Sequence, residues 1–219
     1  AAGASLDIQP GVLRSLIDRT AFSMAQQDVR YYLNGMLFEL KPGRLRAVAT
    51  DGHRLALCDA ELDVPVEEAS VILPRKGVME LSRILGDAGE NARLTVGRNH
   101  VRIVVGAITF TSKLVDGKFP EYDRVIPKEG SRPIIADRAT LRQALARVAV
   151  LSNEKYRGVR VQLSEGSLRI VANNPEQEEA EEEVSVDFNG QPLEIGFNVS
   201  YLLDVLNTMA GTQAELEMG

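Results

Sequence analysis

Gly43-Arg44-Leu45-Arg46-Ala47-Val48-Ala49-Thr50 and Gly166-Ser167-Leu168-Arg169-Ile170-Val171-Ala172-Asn173 are near-copies within one chain. Each is preceded eight residues earlier by another glycine, Gly35 and Gly158, and both pairs are offset by 123 residues. Upstream lies an apolar-periodic stretch beginning Leu13-Arg14 in one copy and Leu141-Arg142 in the other, and downstream another over 78–85 and 199–206. Solenoid repeats run about 20 to 50 residues, so a period this long is a duplicated domain.

Working outward, Leu45 to Thr50 and Tyr31 to Leu40 read as two strands joined by Lys41-Pro42-Gly43-Arg44, whose Pro-Gly pair signals a turn. Before them, Val12, Leu13, Leu16, Ile17 and Thr20 share one face at helical spacing, with Arg14, Ser15, Asp18 and Arg19 on or near the other. After a Pro-containing acidic loop come a strand (Ser70 to Leu73) and a helix (Lys76 to Leu85) with Val78, Leu81, Ile84 and Leu85 inward. Leu94 to Gly97, Val101 to Val105 and Ile108 to Leu114 read as short strands. The unit is α+β, with its two helices side by side on antiparallel sheet.

Pro127 to Pro133 has linker composition, so the expected domains are 5–127 and 128–219. The second copy has a helix burying Leu141, Ala144, Leu145, Val148 and Ala149, a hairpin (Val159 to Leu163, Leu168 to Ala172), a helix (Val199 to Met209) and one strand over Ala214 to Met218. Against the first copy it is truncated by two strands, on the order of 30 residues. The chain is therefore expected to be a fragment, in keeping with the absence of Met at position 1.

The 219 residues carry a net charge of −6. Residues 1–127 hold 16 Lys+Arg and 16 Asp+Glu, whereas 128–219 hold 9 and 15, and six glutamates between Glu176 and Glu183 make up the difference. Such a chain is poorly suited to capturing DNA by charge alone, since that affinity comes mainly from neutralised phosphates. No stretch approaches the ~20 apolar residues of a membrane span, and the first residues lack a signal-peptide pattern. With a single cysteine, Cys58, read as a small buried hydrophobe, the expected compartment is the cytoplasm and no membrane partner is expected.

Catalytic chemistry finds little support. Asp51-Gly52-His53-Arg54 brings a carboxylate and an imidazole together, but no nucleophile accompanies them, and the bland reading is a turn with Asp-Gly at its apex. Two histidines and one cysteine make no zinc site, and no phosphate loop or dinucleotide fingerprint is present. No catalytic residue, metal or cofactor is expected. Like-charge runs such as Glu176 to Glu183 are more often solvated faces or partner surfaces than metal sites. In Gln27-Asp28-Val29-Arg30-Tyr31-Tyr32, placement on a strand would turn one Tyr inward and leave the other for a partner, with core packing the favoured reading.

Four stretches carry a family likeness: Asp28 to Gly35, Ala49 to Ala56, Thr111 to Gly117, and Ser152 to Lys155 through Asn173 to Glu178. Along essentially its whole length the chain resembles the bacterial sliding clamps, the β subunits of DNA polymerase III. The likeness implies duplicated clamp domains, the second and most of the third of three per chain, in a protein that closes head to tail into a dimeric ring. It implies a non-enzymatic processivity factor that encircles duplex DNA without reading sequence. Its partners would be DNA polymerase III and other polymerases, the clamp loader and repair proteins, bound through short linear peptides, at replication forks on the bacterial nucleoid.

Three surfaces follow from that resemblance. Arg14, Arg75, Lys76, Arg142 and Arg147 on helix faces would line the ring, and Gln27, Arg30, Tyr31 and Tyr32 would touch tilted DNA. Contacts of this kind are weak, with dissociation constants around 10⁻⁴ to 10⁻⁶ M, which suits sliding. A groove between the domains would take peptides on Leu33, Thr50, Gly52, His53, Arg54, Leu55, Pro120, Arg124, Val125, Tyr156, Asn198 and Tyr201. The ring joint would use Val150 and Leu151 with Glu176 through Glu182, the glutamates pairing with a partner's basic residues. Full-length relatives would be homodimers, and the fragment is expected to be monomeric. The competing readings are a hydrolase using Asp51 and His53, and a duplicated interaction module unrelated to DNA.

Overall fold

A computed structural model describes residues 3–87, 91–128 and 132–218, so part of the expected linker lies outside the described residues. The chain divides into two compact units, one ending at Tyr122 and the other beginning at Asp123.

In the first unit β1 (Ser5–Ile8) leads into α1 (Pro10–Asp18), followed by β2 (Gly35–Lys41), β3 (Arg44–Thr50), β4 (Leu55–Glu61) and β5 (Ala69–Pro74). Then come α2 (Arg75–Ile84), β6 (Ala92–Val96), β7 (His100–Val105) and β8 (Ile108–Lys113). The strands form two antiparallel sheets, ordered β4-β3-β2-β5 and β1-β6-β7-β8. Both helices bury one face, so Leu13, Leu16, Ile17, Val78, Leu81 and Leu85 join the inward residues of both sheets in one core. Pro10 starts α1 where a missing N–H costs nothing. Thr20 is fully buried but satisfied, its hydroxyl donating to the Leu16 carbonyl at 2.7 Å. Val12 departs from the expected face: it is exposed, because the buried stripe runs through positions 13, 16, 17 and 20.

The second unit repeats the order. It runs β9 (Ile134–Asp137), α3 (Arg138–Ala149), β10 (Gly158–Ser164), β11 (Ser167–Asn173), β12 (Glu179–Ser185), β13 (Leu193–Asn198), α4 (Val199–Thr208) and β14 (Gln213–Leu216). Its sheets are ordered β12-β11-β10-β13 and β14-β9. The β9–β14 pair corresponds to β1–β6, and among the described residues β7 and β8 have no counterpart. All five expected inward residues of α3 are buried. Its N-cap is Asp137, whose Oδ2 accepts from the Thr140 N–H at 2.9 Å and hydroxyl at 2.7 Å.

The repeated glycines serve unequal needs. Gly43 (φ +80°) and Gly166 (φ +71°) turn the two hairpins in the left-handed region that suits glycine. Gly35 lies where β2 passes β5 so closely that a Cβ would fall 2.6 Å from the Leu73 carbonyl oxygen. Gly158 at the matching position has open space around it.

Two expectations are corrected. Tyr31 and Tyr32 are not on a strand: Tyr31–Leu33 is a single 3-10 turn, and β2 starts at Gly35. Side-chain hydrogen bonds from Asp28 and Asn34 to nearby backbone outcompete the extended form there. The glutamate run is not simply a solvated face either, since Glu179–Ser185 forms β12 paired along β11. Ala180, Glu182 and Val184 lie on its more buried side and Glu179, Glu181 and Glu183 on the exposed one.

Candidate nucleic-acid and peptide interface

The loop from Gln27 to Asn34 is locked by its own side chains. Asn34 closes it from both directions, its Oδ1 accepting from the Asp28 N–H and its Nδ2 donating to the Asp28 carbonyl, both at 2.9 Å. Asp28 accepts from the Arg30 backbone N–H at 2.8 Å, from Nε at 3.0 Å and from Nη2 at 2.8 Å. These hydrogen bonds from Arg30 bring the Asp28 carboxyl down to about 2 and raise the Arg30 guanidinium above its ordinary value. Tyr31 is 57% exposed and meets Tyr32 edge-on, ring centres 5.8 Å apart. Tyr32 is the half-buried one, packed beside Leu37, Val48, Ile72, Phe119 and Tyr122. Gln27 is exposed with φ +57°, a conformation uncommon for a residue with a side chain.

The neighbouring turn joins β3 to β4, with Thr50 and Leu55 paired across it. Asp51 Oδ1 accepts from the backbone N–H of His53 (2.9 Å) and Arg54 (3.0 Å), and Oδ2 accepts from Arg54 Nε (3.1 Å). Thr50 donates its hydroxyl to the Arg54 carbonyl at 2.7 Å and accepts from the Gly52 N–H at 3.1 Å. Asp51 is therefore a turn former engaged on three donors, not a base oriented by His53. That geometry speaks against the hydrolase reading. Gly52 and His53 stand exposed at the tip, and the Arg54 guanidinium lies 5.6 Å from the Phe22 ring centre.

The other expected peptide residues fall into two groups. Pro120, Arg124, Val125 (70% exposed) and Tyr156 (67%) are on the surface, whereas Leu55 and Tyr201 are half-buried. Leu33 is 2% exposed and belongs to the interior of the first unit. Asn198 caps α4, its Oδ1 accepting from the Ser200 N–H at 2.9 Å. Leu33, Thr50 and Asn198 thus shape their surroundings rather than present free groups.

Among the helix cations, Lys76 is exposed, while Arg75 and Arg142 are half-buried. Arg14 pairs with Asp18 at 3.3 Å. Arg147 and Glu182, expected on separate surfaces, are bound to each other through Nε–Oε1 at 2.6 Å and Nη2–Oε2 at 3.1 Å. Other glutamates of the run also have partners within the chain: Glu178 with Asn174, Glu181 with Arg169, and Glu183 with Ser167. Val150 and Glu176 are exposed and Leu151 is half-buried. The roles of Asp28 and Asn34 were missed by sequence reasoning, although an Asx residue at each end of a short loop is a turn signal.

Comparison with known proteins ties these features to a family. Residues 7–121 match the model of the DNA polymerase III beta subunit central domain, and residues 123–219 match its C-terminal domain. The chain belongs to the DNA polymerase III beta subunit family. The beta sliding clamp of Pseudomonas putida KT2440 is 58% identical over 213 residues, covering 96% of this chain and 58% of the relative. That of Escherichia coli K12 is 58% identical over 198 residues, covering 90% and 54%. The crystal structure of the Pseudomonas aeruginosa DNA polymerase sliding clamp superposes with a TM-score of 0.97 at 55% identity, over 100% of this chain and 61% of that one. A second P. aeruginosa clamp structure, bound to griselimycin, gives 0.96 at 55% identity, over 100% and 60%. The fold is that of the sliding clamps, and the chain spans just over half the length of the relatives it matches.

Proposed function

We propose that this chain is part of a non-catalytic sliding clamp that encircles duplex DNA as a ring of two subunits. It would tether polymerases, the clamp loader and repair proteins in the bacterial cytoplasm at replication forks. The observation that carries the reading is the exposed Gln27–Tyr31 patch beside the exposed Gly52–His53 turn, in a chain 58% identical to beta sliding clamps. Arg30, Tyr31 and Gln27 offer a cation, a phenol and an amide suited to phosphate and sugar contacts that carry no sequence information. Lys76 and Arg75 on α2, with Arg14 and Arg142, would add the diffuse positive field of a surface that slides.

For peptides, we assign Gly52, His53, Arg54, Leu55 and Pro120 from the first unit and Arg124, Val125, Tyr156 and Tyr201 from the second. Leu33 and Thr50 in the first unit and Asn198 in the second would each shape their own surroundings. Exposed apolar groups such as Val125 and Tyr156 suit a Leu or Phe anchor, worth about 1.5 to 3 kcal/mol for each side chain fully buried. Val150, Leu151 and Glu176 are assigned to the ring joint. The test is fluorescence anisotropy of a labelled Gln-Leu-x-Leu-Phe peptide. Binding should fall on Val125→Ala and on Tyr156→Ala, both surface changes that leave the fold intact, and equal binding by all three proteins would refute the assignment. A labelled duplex should bind weakly, with affinity falling as salt rises and no preference for sequence.

A further inference from the structure

The loop that carries the proposed DNA contacts and the turn that carries proposed peptide contacts meet where Arg30 lies against Gly52. A Cβ built on Gly52 would fall 2.9 Å from Arg30 Nη2, 3.1 Å from Nη1 and 3.4 Å from Cζ, so the outer Nη1–Nη2 edge of the guanidinium occupies the space where a side chain would otherwise stand. Gly52 also needs its φ of +88°. Behind the guanidinium, Asp28 grips Nε and Nη2, and Asp28 itself is fixed through Asn34. On the turn side, Thr50 and Asp51 tie residues 51–54 to their own backbone. Two pieces, each tied by its own side-chain hydrogen bonds, therefore meet at this cation, whose side chain is still 48% exposed.

We propose that Arg30 is a positioning residue that makes DNA and peptide binding compete. Held by Asp28, it braces the 51–54 turn in the form that receives a peptide. A DNA phosphate that draws the guanidinium away from Asp28 and Gly52 removes the brace, so bound DNA lowers peptide affinity. Linkage makes the effect reciprocal: bound peptide lowers DNA affinity by the same factor. Lysine cannot substitute, because its point-charge head cannot set a two-nitrogen edge against a glycine while forking onto Asp28. This inference rests on the sliding-clamp reading above.

The test titrates the labelled Gln-Leu-x-Leu-Phe peptide into the 219-residue chain, with and without saturating duplex at low salt. Without DNA, Arg30→Ala and Arg30→Lys should each weaken peptide binding about fivefold, the low end of coupling between sites. Amide exchange at His53 and Arg54 should quicken in both. In the wild type, duplex should weaken peptide binding by a similar factor, and Arg30→Ala should lose that sensitivity. Unchanged peptide affinity in Arg30→Ala, alongside a loss in Val125→Ala, overturns the brace and leaves the clamp reading standing. DNA sensitivity that persists in Arg30→Ala, or that is absent from a wild type binding both ligands, also overturns it. A wild type that binds neither peptide nor DNA overturns the clamp reading and the brace together.

Discussion

Arg147 on α3 forks onto Glu182 of β12 with two hydrogen bonds, 2.6 and 3.1 Å long, across 35 residues of sequence. The pair holds the Glu182 carboxyl below its usual range and the Arg147 guanidinium above its own. Each group offsets part of the other's charge, so what either presents to DNA or to another subunit is weakened. Glu182→Gln should release Arg147, and duplex affinity at low salt should then rise. The slope of log affinity against log salt should steepen by about 0.9, the value for one added phosphate contact. A salt titration by anisotropy measures this, and an unchanged slope would show that Arg147 does not face DNA.

Acid should act on the Asp28 loop late. Asp28 ionises at about 2 in the folded protein against an ordinary 3.8, so its contribution is present above 3.8 and is lost as pH falls through about 2. The Arg30 amide resonance should hold its position down to about pH 3 and then move with a midpoint near 2, as that depressed value requires. In Asp28→Asn the transition should vanish. A midpoint near 4 would mean that the Asp28–Arg30 fork is not formed in solution.

The repeat glycines should respond unequally to alanine. At Gly43, where φ is +80°, the substitution should cost about 1 to 2 kcal/mol, the strain of a left-handed L-residue. At Gly158, where a Cβ meets nothing, it should change stability by less than about 0.5 kcal/mol. Urea denaturation of the two variants separates them, and equal losses would contradict the geometry.

Leu33 and Tyr156 should part company in the same way. Leu33→Ala empties a site 2% exposed and should lower stability by about 2 to 5 kcal/mol. Tyr156→Ala, on the surface, should leave the unfolding midpoint where it is. Thermal melts beside the peptide titrations would show whether a loss of binding at Leu33 is a loss of fold.

Much of this architecture is written in short-range pattern. Leu13, Leu16 and Ile17, and Leu141 through Ala149, announce helix faces because burial there follows a 3.6-residue period. The hairpins over 35–50 and 158–173 are legible because alternating apolar runs flank turn glycines. β4 is not, because Asp59 and Glu61 break its apolar run, and β12 hides within glutamates whose strand character comes from pairing with β11. β1, β9 and β14 are four-residue strands held by distant partners, and of these only β14 leaves a trace in the local pattern. At the site, residue identity pointed to Arg30 and Tyr31 through family likeness. That Arg30 rests on Gly52, and that Arg147 meets Glu182, are properties of packing between segments distant in sequence, with no periodic signal to reveal them.

Asn34 closes the 28–34 loop on itself, and the loop is held to the rest of the unit by the Arg30 contact, by Tyr31 against Gly117, by the inward side chains of Tyr32 and Leu33, and by the Ala25 and Arg75 N–H groups donating to the Leu33 and Asn34 carbonyls. Positions such as Val29, 96% exposed, can change without disturbing the folding of the unit. Mutational scanning read out by abundance should find them silent, and the same scan read out by replication should not. A locus where those two landscapes diverge is one on which selection can tune the proposed DNA contact while leaving stability alone.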